Sequence, residues 1–169
     1  MAYPAKAVAN EFLSLAKADG ETVSPMKLLK LVFIAHGWYL AFTKQPLIQE
    51  RVEAWQYGPV VPDLYHSFKQ FGNDPITEEA SDWRIREGKI VLITPRIAPS
   101  ANDPFASSAK NLIAKVWQSY GKYSAAQLSS TTHLPGSPWQ QTYLPDVRSL
   151  VIPDEVIRAY YENLKEQAA

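Results

Sequence analysis

An apolar segment between Ser24 and Lys44 constrains the fold more than any other feature of the sequence. Its large side chains form two helical stripes, namely Leu28, Leu31, Ala35, Trp38 and Phe42, and Leu29, Phe33 and Leu40. Because the stripes lie on different faces, the segment predicts a helix that is apolar nearly all round and buried at the centre of a domain. The apolar run is shorter than the roughly 20 residues of a membrane span and contains Lys30 and His36. We therefore predict a cytoplasmic protein with no membrane partner.

Three residues inside this central helix carry specific expectations. His36 shares a face with large apolar residues, so we expect a core histidine whose ring nitrogens are hydrogen-bonded. Gly37 destabilises a helix interior by about 1 kcal/mol relative to alanine, which predicts close approach of a neighbouring backbone. Trp38 lies on the first stripe and is expected in the core.

Shorter periodic segments predict further helices around the central one. They cover residues 4–18, 63–71, 104–120 and 153–166, and short helical turns begin at Ser124 and Ser137. Residues near 51–57 predict a short strand, and residues around 83–94 predict a hairpin about a Glu87-Gly88 turn. The segment Gly58–Pro62 predicts a rigid connector. We therefore predict a compact single domain over residues 1–169, of α+β class but predominantly α-helical, with a small antiparallel β element.

The sequence contains no motif of a known catalytic or metal site. It has no cysteine, which excludes a disulfide scaffold, a thiolate metal site and a cysteine nucleophile. The glycines are too widely spaced for a phosphate-binding loop. We predict no catalytic residue, no metal and no cofactor. A hydrolase or transferase that uses Asp63, His66 and His133 remains an alternative.

Charge does not favour nucleic acid as the main ligand. Seventeen basic residues balance seventeen acidic ones, so the net charge is zero. Between residues 84 and 122, however, basic residues outnumber Glu87 and Asp103; they are Arg84, Arg86, Lys89, Arg96, Lys110, Lys115 and Lys122. This stretch keeps open a nucleic-acid-binding regulator, and it equally fits contact with an acidic protein surface.

Aromatic residues make up 12% of the chain and crowd around the Gly58–Pro62 connector. Spacing assigns Phe68 and Phe71 to the core. The other aromatic residues near the connector suit an interface, because Trp and Tyr dominate binding hot spots. The candidate partner-binding residues are therefore Trp55, Tyr57 and Tyr65, together with the basic hairpin residues Arg84 and Arg86.

Three stretches of the sequence resemble the Panacea antitoxin domain family, which includes SocA-like antitoxins and phage GepA-type proteins. They are residues 27–40, residues 54–65, with Trp-Gln-Tyr-Gly-Pro-Val-Val-Pro at their centre, and residues 128–139. The resemblance implies a structural role for the motif residues Lys27, Leu28, His36, Gly37, Trp38, Gly58, Pro59, Val60, Pro62, Thr132, His133, Pro138 and Trp139.

The resemblance also implies a function. It predicts a non-enzymatic antitoxin of a type II toxin–antitoxin pair, which binds and neutralises a protein toxin encoded nearby. The toxins of such pairs vary in fold and include alarmone-synthetase-like translation inhibitors. Some family members instead deliver a toxin to a protease, and such an adaptor is an alternative.

Overall fold

Helix α2 (Pro25–Thr43) lies at the centre of the computed structural model, which describes residues 1–169. Fourteen of its nineteen residues are buried. It contacts α1 (Ala5–Ala18), α4 (Ala106–Tyr120) and four further elements defined below. The predicted central helix is therefore confirmed, and no helix in the chain has the length and apolar character needed to cross a membrane.

The remaining helices are short or lie against one side of α2. They are α3 (Pro62–Phe68, continued by a 3₁₀ turn at Lys69–Phe71), α5 (Ala125–Thr132), α6 (Pro138–Thr142) and α7 (Asp154–Ala168). Helix α7 packs along α2 through the buried Ile157 and Tyr161. With two antiparallel hairpins, this is the predominantly helical α+β fold that the sequence predicts.

Two aromatic residues of α2 are less buried than expected. Phe42 is exposed, and Trp38 is only half-buried. Both lie near the end of the helix, where Phe42 stacks on Trp38 and the Lys165 ammonium lies 4.8 Å from the Phe42 ring centroid. The first apolar stripe therefore leaves the core at Trp38, one turn before the helix ends.

The first hairpin pairs β1 (Glu53–Trp55) with β2 (Gly58–Val60). Strand β1 is the predicted strand near 51–57. The prediction of a connector over Gly58–Pro62 is corrected, because its first three residues form strand β2. The chain near Val151 lies along the other side of β1, with the Ala54 N–H donating to the Leu150 carbonyl at 2.8 Å. This hairpin is buried, because β1 lies between two neighbours and β2 packs on α2.

The second hairpin pairs β3 (Asp82–Arg86) with β4 (Lys89–Ile93), as the sequence predicts. Its turn residues Glu87 and Gly88 both have positive φ, of 51° and 73°. Such a turn matches the right-handed twist of a two-stranded ribbon. Most residues of this hairpin are exposed, because it projects from the helical body.

Candidate functional site

Lys30 connects the central helix to the first hairpin from inside the protein. It is only 2% exposed. Its Nζ donates hydrogen bonds to the main-chain oxygens of Tyr57, at 2.8 Å, and Pro59, at 3.3 Å. Burial lowers the pKa of the Lys30 amine to about 8, because removal from water disfavours the ammonium form. In the sequence, Lys30 interrupts the apolar segment, and a lysine on a helix that is expected to be buried all round is the signal that indicates this internal role.

Gly58 lies directly against Lys30 and needs to be glycine for two reasons. Its φ is +112°, a conformation that other residues rarely adopt. A Cβ atom at this position would lie 2.5 Å from the Lys30 Nζ and 2.9 Å from Cε1 of His133. Both the positive φ and the space taken by Lys30 therefore require glycine at this position.

His133 and Trp139 close the other side of the first hairpin. The Trp139 indole N–H donates to the Trp55 carbonyl at 2.6 Å. The ring centroids of His133 and Trp139 are 4.2 Å apart. Because His133 Nδ1 lies 2.6 Å from the Ser129 carbonyl, which only accepts, Nδ1 carries a proton. Residues far apart in the sequence thus form one cluster around Lys30, which we call the lysine cluster: Lys30, Trp55, Gly58, Pro59, His133 and Trp139.

Four other motif residues hold the chain that leads into this cluster. Val60 is buried in β2. Pro62 begins α3, at a position where a backbone N–H would have no partner within the helix, so the missing N–H of proline costs nothing. The Thr132 hydroxyl is buried and donates to a main-chain carbonyl one turn earlier in α5. Pro138 begins α6 in the same way and is buried. All four take part in local packing.

His36 and Gly37 connect α2 to the C-terminal part of the chain. The Leu47 N–H donates to His36 Nδ1 at 3.3 Å, so Nε2 carries the proton that is shared with Asp154 Oδ1 at 2.9 Å. The prediction of a satisfied core histidine is confirmed. A Cβ on Gly37 would overlap the ring of Tyr161. The close neighbour is therefore a side chain, and the prediction of a backbone was wrong.

Lys27, Leu28 and Trp38 connect α2 to its other neighbours. The Lys27 Nζ donates to the carbonyl of Gly121, just after α4, at 2.5 Å. Leu28 is fully buried in the core. The Trp38 indole donates to the Tyr120 hydroxyl, also on α4, at 3.1 Å. Like the lysine cluster, these residues make contacts inside the protein.

The three candidate aromatic residues lie outside the lysine cluster or at its edge, and we call them the aromatic surface (Trp55, Tyr57 and Tyr65). Tyr57, at the turn of the first hairpin, is 67% exposed, and Tyr65 on α3 is 39% exposed. The half-buried Trp55 packs edge-on against Tyr65 with ring centroids 5.0 Å apart, and its indole donates to the Glu53 carboxylate at 2.7 Å. Only main-chain atoms of Tyr57 take part in the cluster, which leaves its ring free.

Arg84 and Arg86 lie on the other hairpin and make no hydrogen bond, ion pair or ring contact with the aromatic surface. Both are exposed on β3. Lys6 forms ion pairs with Asp82, at 2.6 Å, and Asp63, at 3.7 Å. One side chain therefore reaches the start of both β3 and α3. The sequence-predicted site residues divide into two groups on separate elements.

The positive charge of residues 84–122 is partly neutralised in the structure. Arg96 pairs with Glu79 at 2.6 Å, and Lys110 pairs with Glu11 at 3.5 Å. Arg84 also lies 3.9 Å from the Asp82 carboxylate, so three of the seven cations of this stretch are directed at neighbouring carboxylates. The hairpin cations Arg84, Arg86 and Lys89 stay exposed.

The residues of the enzymatic alternative lie in different settings. The Asp63 carboxylate faces Lys6, the His66 ring packs against Tyr65, and the His133 ring packs against Trp139. No hydrogen bond joins any two of Asp63, His66 and His133. No group of three or more histidine, aspartate or glutamate side chains is arranged to hold a metal ion. Asp63, His66 and His133 therefore do not form a hydrogen-bonded catalytic group.

Comparison with known proteins adds a second line of evidence. A family model described as "Antitoxin SocA-like, Panacea domain" matches residues 28–140. The chain is also similar to Antitoxin SocA of Caulobacter vibrioides (strain NA1000 / CB15N), with 33% identity over 135 residues, which make up 80% of this chain and 68% of that protein. No solved structure matches the chain. The matched range contains the whole lysine cluster.

Proposed function

Because the chain belongs to the SocA-like, Panacea-domain antitoxin family, we propose that it is the antitoxin of a type II toxin–antitoxin pair and neutralises a protein toxin by direct contact. Membership of the family supports an antitoxin role, and it suggests a non-enzymatic one. In this proposal the toxin is encoded beside the antitoxin and meets it in the cytoplasm. Neutralisation results from burial of the active surface of the toxin.

One observation supports the proposal: the lysine cluster lies inside the protein, and exposed aromatic side chains lie directly beside it. Lys30 and the motif residues Gly58 and Trp139 make their contacts inside the protein. The rings of Tyr57 and Tyr65 face solvent on the frame that this cluster supports. Exposed aromatic residues on a rigid frame suit a protein partner, because they bury much area with little loss of side-chain freedom.

Co-expression with the toxic reading frame adjacent to its gene tests the proposal. Wild-type chain is expected to bind the toxin and to restore growth. Tyr57→Ala combined with Tyr65→Ala is expected to weaken binding by about tenfold or more, as for two interface aromatics. Tyr123→Ala is the control, since Tyr123 is as exposed as Tyr65 but lies elsewhere, after α4.

Two further experiments distinguish the proposed function from rival functions. His66→Ala is expected to preserve rescue, because no proton transfer is involved. Loss of rescue by this variant with folding and binding intact would point to catalysis instead. A wild-type chain that neither binds nor neutralises the toxin, but binds DNA in a salt-dependent gel shift, would favour the nucleic-acid-binding regulator.

A further inference from the structure

One face of the second hairpin exposes four large apolar side chains in a contiguous patch. The cross-strand pairs Trp83–Leu92 and Ile85–Ile90 are two residues apart along the ribbon and therefore share a face. Their exposed fractions are 72% and 57% for the first pair, and 77% and 72% for the second. We call these four residues the apolar ribbon face. Single exposed apolar residues are common, but a contiguous patch of this kind marks an interaction site.

The base of the hairpin holds this face in a fixed position. The fully buried Asn10 accepts a hydrogen bond from the Ala80 N–H at 2.8 Å and donates to the carbonyls of Ala80 and Pro95, at 2.9 and 3.1 Å. It thereby joins the chain entering the hairpin to the chain leaving it. Lys6 adds an ion pair to Asp82. An isolated two-stranded ribbon is marginal in water, so this anchoring reduces the ordering that binding would otherwise require.

The opposite face of the hairpin is positively charged toward its tip. Arg84 and the cross-strand pair Arg86–Lys89 lie there, and all three are exposed. Asp82 at the base pairs with Lys6 at 2.6 Å and with Arg84 at 3.9 Å, so Glu87 is the one carboxylate near Arg86 and Lys89 at the tip. The ribbon therefore has one apolar face and one cationic face.

We infer that the apolar ribbon face is the main anchor by which this chain grips its toxin, and that the toxin receives the ribbon in a cleft with one apolar wall and one acidic wall. This inference rests on the proposed function. The apolar side chains supply most of the affinity through burial, and the cations speed and orient association. The aromatic surface forms a second contact on the same antitoxin.

The charges favour such a partner over a second copy of the chain. A two-fold symmetric contact places the same surface against itself. Two ribbons packed through their apolar faces would leave the cationic faces of both copies on the outside, with only Glu87 of each copy near Arg86 and Lys89. A contact between copies would therefore leave Arg86 and Lys89 without carboxylate partners, whereas carboxylates on a different protein would pair with them.

The test combines two threonine substitutions on the ribbon with a matched control. Ile85→Thr with Ile90→Thr keeps β-branched side chains that suit a strand while removing apolar surface. The control, Phe105→Ser with Leu144→Ser, changes two other exposed apolar residues outside the ribbon. The probe is the purified product of the adjacent toxic reading frame, and thermal melts establish that both variants fold like the wild type.

We expect the ribbon variant to bind the toxin at least about tenfold more weakly, chiefly through faster dissociation, and to lose rescue of growth. The control is expected to bind within about twofold of the wild type. Arg86→Gln with Lys89→Gln is expected to slow association and to reduce its dependence on salt.

The alternative outcomes can be told apart. If the wild type binds and rescues but the ribbon variant does so equally well, the inference is wrong and the proposed function stands. If the wild type neither binds nor rescues, both are wrong. If the free chain forms a dimer that Ile85→Thr with Ile90→Thr dissolves, the ribbon is an interface between copies, and the inference is overturned.

Discussion

Lys30 illustrates how one polar residue organises an otherwise apolar helix. A lysine is almost never fully buried unless its charge is paired, yet no carboxylate forms an ion pair with Lys30, and its amine is held by two carbonyls. Carbonyls accept from a neutral amine as well as from an ammonium. The folded protein therefore holds a proton on Lys30 less firmly than the unfolded chain does.

This difference predicts that stability rises with pH in the mildly alkaline range. The pKa of Lys30 is about 8 in the fold against 10.5 for an ordinary lysine. Between these values the unfolded chain binds more protons, so the free energy of unfolding increases with pH, by about 1–2 kcal/mol between pH 8 and about pH 9.5. Urea titrations across this range measure it.

Lys30→Met is the control for the pH profile, and it should remove most of the rise in stability. A smaller contribution remains from Lys27, because burial also lowers the pKa of its amine. Above about pH 10 stability is expected to fall in both proteins. Burial raises the pKa of Tyr3 and Tyr161, so these tyrosines ionise more readily in the unfolded chain. A flat wild-type profile from pH 8 to 9.5 would contradict the role given to Lys30.

Single residues were predictable from the sequence when their environment followed from the helix that carries them. His36 shares a helical face with apolar neighbours, and that pattern was enough to place it in the core. The sequence does not reveal the partners of Asn10 and Lys30, because these partners, Ala80 and Tyr57, lie 70 and 27 residues further along the chain. The lysine cluster joins helices and a hairpin whose packing no local pattern reveals.

Among the elements, local chemistry predicted the helices and the second hairpin but not the first. The segment 58–60 contains glycine and proline, which disfavour strands, and becomes strand β2 through pairing with β1 and packing on α2. Helix α4 begins at Ala106 and not at Pro104. The Asp103 carboxylate, just before the helix, accepts from the Tyr3 hydroxyl at 2.7 Å and from the Phe105 N–H at 3.2 Å.

The contact between α2 and α7 predicts that a Gly→Ala substitution lowers the stability of the protein, which is the opposite of its usual effect in a helix. Gly→Ala normally stabilises a helix interior by about 1 kcal/mol. Gly37→Ala is expected to destabilise this protein by about 1–3 kcal/mol in urea, because the new methyl group overpacks against the buried ring of Tyr161. Tyr161→Leu should reduce that penalty in the double variant. A stabilised Gly37→Ala variant would mean that α7 does not pack closely here.

Over the whole molecule, the helices enclose α2 and the two candidate contact regions lie outside that enclosure. The family match ends at residue 140, but α7 beyond it covers α2 with Ile157 and Tyr161 and supplies Asp154 to His36. The helical frame therefore depends on residues outside the matched range.

Removal of residues 154–169 is accordingly expected to abolish cooperative thermal unfolding measured by circular dichroism. Without α7, the apolar side of α2 meets water and His36 loses its carboxylate. Removal of residues 167–169 alone is the control, since these residues are exposed, and it should shift the midpoint by less than about 2 °C. Retention of a wild-type transition by the longer deletion would contradict the central packing described for α2.

The anchoring of the second hairpin by Asn10 has an evolutionary consequence. Strands β3 and β4, which lie between Ala80 and Pro95 in the sequence, bury little side-chain surface. Substitutions along them therefore escape most of the selection that acts on folding. With the role that we infer for the ribbon in toxin binding, selection for recognition can therefore change the ribbon without disturbing the packing of the lysine cluster. In that case specificity and foldability depend largely on different residues, which can evolve at different rates.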